Sequence, residues 1–278
     1  MSSETDSPPS AVRQTYSYIL CGVDGSRPSQ EAARQAAVLA GEDAALIYVA
    51  VSWEQGVGAS AVATLSHKHA QECLRRARDE ARELGVRTPI AVEEEGDDPA
   101  KKLMDLAAGH DLLVLGMRGH SRAGGIMVGS AASAALHRSP VPVLVARRPP
   151  EGVAFPSRIL LASDGTTQSD AATDHAAQLA ARFRSHVAMV AARDHEAPAR
   201  RVLAEQATRI MALTGAEPQI LDRPGTPHRA VAEAASDFEA SLVVTGSRGL
   251  TGVAALKSAS ERIAHAAPCS VLVVRPAP

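Results

Sequence analysis

The chain is written twice, and that constrains its fold more than any other feature. "YILCGVDGSRPSQEAARQAAVLA" from Tyr18 returns as "RILLASDGTTQSDAATDHAAQLA" from Arg158, an offset of 140. "DLLVLGMRGHSRAGG" from Asp111 returns as "SLVVTGSRGLTGVAA" from Ser241, offset by 130, and "HRSPVPVLVARRP" from His137 as "HAAPCSVLVVRPA" from His265, offset by 128. The falling offsets mean that the second copy is about ten residues shorter in its middle and two shorter near its glycine-rich loop. Proline-rich "RRPPEGVAFPS" lies between the copies without periodicity and reads as a linker. The expected organisation is a disordered polar leader over 1–15, a first domain over 16–147, a linker over 148–157 and a second domain over 158–278.

Each copy alternates apolar runs with helical patterns. In the first, "YILCGVD" (18–24) reads as a buried strand, "SRPSQEAARQAAVLAG" (26–41) as a helix with serine and proline at its start and Gly41 as its stop, and "ALIYVAV" (45–51) as the next strand. A long helix then runs over 66–85, a strand over 88–96, a helix over 98–109 that Asp98 could cap, strand "DLLVLG" over 111–116, helix "SAASAALHR" over 130–138 and strand "VPVLVAR" over 141–147. Strict alternation predicts an α/β fold: two tandem five-stranded parallel-sheet sandwich domains, Rossmann-like, with helices on both faces. In such sheets a ligand sits beyond the carboxyl ends of the strands, where the strand order switches. "VDGS" after the first strand and "GMRGHSRAGGIMVGS" after the fourth therefore share one crevice. The amides of a glycine turn and of a helix N-terminus there form an anion site, and Ser130 could donate to a phosphate or cap its own helix. Neither GxxxxGK-S/T nor a first-strand GxGxxG is present, which disfavours a P-loop NTPase and a dinucleotide dehydrogenase.

Gly116, Gly119, Gly129 and Ser130 spell GxxG, nine residues, then G-S/T, and this pattern, with "VDGS" before it and "APCSVLVVRP" at the end, resembles the universal stress protein family over nearly the whole chain from about Ser17. The resemblance implies a universal stress protein fold that binds ATP together with Mg²⁺, the metal lying near Asp24. It puts the adenine near Val49 and Leu115, the ribose near Asp24, and the phosphates on the Gly116 to Gly119 turn and on Gly129-Ser130. The full candidate set is Gly22, Val23, Asp24, Gly25, Ser26, Val49, Leu115, Gly116, Arg118, Gly119, Gly129, Ser130 and Ala131. From the residues alone, Asp24 could instead cap the turn that follows it. The resemblance also implies that the two domains pair through their fifth strands, "VPVLVAR" and "CSVLVVR", whose edges need a partner; a homodimer of the whole chain is a further expectation.

The second copy keeps Asp164, Gly246 and Gly249, but its G-S/T is lost. Aligned on His137-Pro140 and His265-Pro268, Ser258 takes the place of Ser130 and Lys257 that of Gly129, and nine residues shrink to seven. A lysine where backbone must meet phosphate adds a Cβ and a long chain. The first domain is therefore expected to hold ATP and the second to hold it weakly or not at all.

Composition narrows the alternatives. A formal net charge of -2 and 3% aromatic residues give neither the basic footprint nor the stacking rings of a nucleic-acid binder. No apolar run reaches the ~20 residues of a membrane span. Cys21, Cys73 and Cys269 have no metal or disulfide spacing, Cys21 and Cys269 read as buried small hydrophobes, and a cytoplasmic protein is expected. His67 and His69, two apart on a helix, read as surface residues; Arg118 and Arg122 are candidates for a phosphate contact. No nucleophile and base pair is legible. The leading expectation is a stress-response protein that binds ATP and works as a nucleotide-dependent regulatory or interaction protein, without protein-bound metal or catalytic residues. A slow ATP-hydrolysing or phosphate-transferring enzyme, and an interaction module without nucleotide, are the alternatives.

Overall fold

The protein is described from a computed structural model, over residues 15–52, 65–117, 129–164, 169–191, 197–247 and 259–275. The first copy runs β1 (Tyr18–Gly22), α1 (Arg27–Ala40), β2 (Ala45–Ser52), α2 (His67–Glu83), β3 (Ile90–Glu95), α3 (Pro99–Ala107), β4 (Leu112–Gly116), α4 (Ser130–Arg138) and β5 (Val143–Ala146). The second repeats it as β6 (Arg158–Ser163), α5 (Asp170–Phe183), β7 (His186–Ala191), α6 (Ala197–Thr214), β8 (Gln219–Asp222), α7 (Pro227–Asp237), β9 (Leu242–Gly246), α8 (Ala259–Ala266) and β10 (Ser270–Val274).

Local chemistry sets the helix limits. Ser26 caps α1 by accepting from the Ser29 amide, Pro28 occupies the first turn, and Gly41, at φ 61, returns its N–H to Ala37. Ser66 caps α2 and Asp98 caps α3 in the same way, each accepting from the amide three residues on. The strands are a little shorter than their apolar runs: β1 stops at Gly22, although Val23 still donates to Val49 at 2.8 Å.

The strands form one ten-stranded sheet in the order β3-β2-β1-β4-β5-β10-β9-β6-β7-β8. Every neighbouring pair is parallel except β5 with β10, which run antiparallel with Leu144 opposite Leu272. Each half has the order 3-2-1-4-5, so the strand order reverses direction between β1 and β4, and again between β6 and β9. The fifth strands thus lie at the centre of the sheet, and the outer edges are β3, which carries Glu93 to Glu95, and the four-residue β8. Helices α1, α2, α5 and α6 pack on one face with Ile19, Cys21 and Tyr48; α3, α4, α7 and α8 pack on the other with Leu20, Val49 and Leu113.

The seam between the halves is polar as well as apolar, and close to two-fold. Arg147 donates to the carbonyls of Ala264 (3.3 Å) and His265 (2.9 Å) at the end of α8, while Arg275 donates to the Leu136 carbonyl at the end of α4 (2.8 Å). Cations there complement the negative ends of the helix dipoles. Arg182 does the same for α1, reaching the Leu39 and Ala40 carbonyls. Across the other face Tyr16 bonds His175, and Gln35 bridges the Arg147 carbonyl and the Ser270 hydroxyl.

Candidate functional site

The crevice lies at the carboxyl ends of β1 and β4. Beyond β1 the chain turns through Val23, Asp24 and Gly25 into the α1 cap. Asp24 Oδ1 accepts from the Ser26 amide (3.0 Å) and the Ser26 hydroxyl (2.6 Å). Ser29 Oγ accepts from the amides of Asp24 and Gly25, both at 3.1 Å, and Gln30 donates to the Gly25 carbonyl. The turn is therefore built by the helix that follows it. Gly25 sits at φ +77, and a Cβ there would lie 2.5 Å from Cys73 Sγ, so glycine is required twice over.

This geometry gives Asp24 the turn-holding role that was one of its two readings. It also gives Gly116 a cause other than phosphate approach. A Cβ on Gly116 would lie 2.6 to 2.7 Å from the backbone of Pro28 and Ser29, so the end of β4 packs directly on the first turn of α1. Gly22 is similarly enclosed, with Leu115 Cδ2 at 2.7 Å from such a Cβ. Both Val49 and Leu115 have side chains buried on the α3 and α4 side of the sheet.

Past β4, Met117 donates to Ala146, and the Gly129 amide donates to the Met117 carbonyl at 2.8 Å. That bond fastens the start of α4 beside the end of β4. It also removes the Gly129 N–H from the donors expected for a phosphate, because it already serves the fold. Gly129, at φ −58 and ψ 153, is the N-cap, with no side-chain cap bond, and Ser130 is the first helical residue rather than the cap. The first-turn amides of α4, from Ser130 onward, have no intrahelical acceptor and no acidic residue among them. They face the end of the strand with the positive end of the helix dipole. Arg118, Gly119 and Arg122 lie outside the described residues, as does the rest of the 118–128 segment.

In the second half the same positions are used differently. Ser169, the counterpart of Ser29, bonds Ser163 Oγ (2.9 Å) and receives the Gln206 amide group (2.8 Å), while Gln206 also reaches Asp170 (3.0 Å). Ser163 donates to Gln206 Oε1 at 2.7 Å, closing a buried network. Asp164 is exposed and Gly246 ends β9; Gly249, Lys257 and Ser258 lie outside the described residues. Helix α8 begins at Ala259 and carries Glu261 in its first turn, buried, where α4 has Ser133. Glu261 Oε1 takes His137 Nε2 of the first half at 2.9 Å. Its negative charge near the start of α8 disfavours a second anion there.

Sequence reasoning missed Ser29, Gln30, Gln206 and Glu261. The repeat held a signal for one of them, Ser29, which stands at the 140-residue offset from Ser169.

A model of the universal stress protein family matches residues 15–147 and again 156–275. The chain belongs to the universal stress protein family, as a tandem member. A universal stress protein of Mycolicibacterium smegmatis is 30% identical, covering 93% of this chain and 97% of that one. A universal stress protein of Methanocaldococcus jannaschii is 32% identical, spanning 48% of this chain and 84% of its own length. The crystal structure of a universal stress protein from Archaeoglobus fulgidus superposes with a TM-score of 0.73 at 20% identity, over 94% of this chain and 97% of that one, and shows the shared α/β fold. No helix among the described residues is long and apolar enough to cross a membrane.

Proposed function

We propose that this universal stress protein binds ATP in the crevice of its first half and serves in stress response as a nucleotide-dependent regulatory or interaction protein, while its second half holds nucleotide weakly or not at all. The observation that carries this reading is the contrast between the two fourth helices. The start of α4 is free of acidic side chains and fastened to the end of β4, whereas α8 has Glu261 in its first turn. In this reading the α4 amides, Ser130 and the glycine turn from Gly116 to Gly119 take the phosphates. The Asp24 turn faces the ribose, and backbone at Val49 and Leu115 borders the base. Magnesium enters with the nucleotide, near Asp24.

The halves work as one unit across the β5 and β10 seam, with Arg147 and Arg275 tying each fifth strand to the opposite fourth helix. A ligand at α4 would then be felt at β10 through the Leu136 carbonyl. The domains run over 16–147 and 158–278, and the protein acts in the cytoplasm.

Titration calorimetry of nucleotide-stripped protein with Mg-ATP tests the proposal. One site per chain is the expected stoichiometry. Two equal sites would refute the asymmetry, and none would leave the interaction module without nucleotide as the better reading.

A further inference from the structure

The two halves differ again away from the nucleotide crevice, between their first two helices. In the first half α1 and α2 leave a cleft of about 190 Å³, floored by Val23, Ala33, Ala77 and the Cys73 side chain. In the second half the equivalent space is filled. Counting back from Gly85 and Gly215, which follow α2 and α6, Cys73 corresponds to Leu203, Arg76 to Gln206 and Glu80 to Ile210. Leu203, Gln206 and Ile210 are all buried, and Gln206 ties α6 to α5 through Ser169 and Asp170. One copy of the unit thus closes this space with apolar bulk and a satisfied polar network, and the other keeps it open.

The open cleft holds one carboxylate that no described residue hydrogen-bonds. Arg76 on the rim is neutralised by Glu72 at 2.7 Å, and Arg34 pairs with Glu31. Glu80 lines the cleft, partly buried, and no described residue hydrogen-bonds or ion-pairs with its carboxylate. Burial holds its carboxyl above the usual range; Arg34 opposes this, and Glu31 and Glu83 add to it. A partly buried carboxylate beside an apolar floor is complementary to a positively charged donor with an apolar body. A divalent metal is a poor match, because three or more ligating side chains do not converge there among the described residues. Burial also raises the Cys73 thiol, with Asp24 adding to the effect, so it serves as a neutral wall.

We propose that the α1–α2 cleft of the first half binds a small organic ammonium ion, with Glu80 accepting from the ammonium group and the alanine floor receiving its apolar part. The site lies on the sheet face opposite α4 and meets the nucleotide turn at Gly25, which lines its mouth. It goes beyond the nucleotide reading and does not depend on it.

Amide NMR of the full chain, titrated with benzylammonium chloride and separately with benzyl alcohol, tests it. Saturable shifts are expected at Gly25, Ala33 and Ala77 with benzylammonium, at an affinity of roughly millimolar for so small a ligand. Benzyl alcohol, which has the same ring but no charge, should bind at least roughly tenfold more weakly, and Glu80→Gln should weaken benzylammonium by about the same factor. Cys73→Leu, which copies the second half, should abolish the shifts. If that variant fails to fold, Glu80→Gln alone decides. Absence of saturable shifts at these amides, equal binding of the alcohol, or undiminished binding to Glu80→Gln would each overturn the proposal.

Discussion

The two halves share one topology and spend the same positions differently. Ser29 and Ser169 are equally buried, but in the first half Ser29 holds the backbone of the Asp24 turn, and in the second Ser169 joins the side chains of Ser163 and Gln206. In the first, α4 opens on small residues; in the second, α8 opens on a buried glutamate that belongs to the seam. Duplication thus lets equivalent positions of the two copies serve different contacts. A fold of this kind carries function only where its loops and helix ends are left available.

That contrast can be broken at several points. The largest effect is expected from Gly116→Ala. Its Cβ would meet the Pro28 and Ser29 backbone, which cannot yield as a side chain can. A loss of about 2 kcal/mol or more is expected from overpacking, read as a fall of roughly 5 °C in Tm. An unchanged Tm would mean that β4 and α1 do not pack as closely as described.

Next come the paired arginines. Arg147→Ala and Arg275→Ala each remove charged hydrogen bonds to helix-end carbonyls across the seam. Each should cost about 2 kcal/mol, measured by denaturant unfolding. If either is silent, that arginine adds nothing to the strand pairing and the other bonds across the seam.

Copying the second half into the first sharpens the comparison at the nucleotide. The φ and ψ of Gly129 suit any residue, so Gly129→Lys should leave the fold intact. It should nevertheless weaken Mg-ATP by roughly tenfold, or about 1.4 kcal/mol, in calorimetry. The reverse pair, Lys257→Gly with Glu261→Ser, should add a second, weaker binding event. Preserved affinity in the first variant would remove the phosphate from the start of α4.

The smallest effect concerns pH. Burial lowers His175, opposed by Asp174, from its ordinary 6.5, and its partner across the seam is Tyr16. With the folded value depressed, the unfolded chain binds the proton first. Stability is therefore complete above about pH 6.5 and declines as pH falls through the lower folded value. His175→Phe should flatten this part of a curve of Tm against pH between about 7 and 5; an identical slope would assign the pH dependence elsewhere.

Most of the order of elements was legible from sequence, because its causes are local. Ser26, Pro28 and Gly41 bound α1 through hydrogen bonds that span a few residues, and apolar runs such as "LLVLG" have no other stable use than a buried strand. The repeat offsets located the two copies for the same reason. The glycines were harder to read. Their spacing marked the crevice, but only packing shows that Gly116 is needed against α1, and that the Gly129 amide is already used by Met117.

The sequence by itself determined two α/β units, the order of their elements, the capped helix starts of the first copy, and which copy keeps the family pattern, since each of these rests on spacing and short-range bonding. Tertiary structure alone decided that Ser29 builds the Asp24 turn while Ser169 joins Gln206, that Glu261 meets His137 across the seam, and that one α1–α2 pair stays open where its copy is filled. Those outcomes depend on residues far apart in the chain arriving at one place, and no periodicity records which of two equivalent side chains will find a partner there.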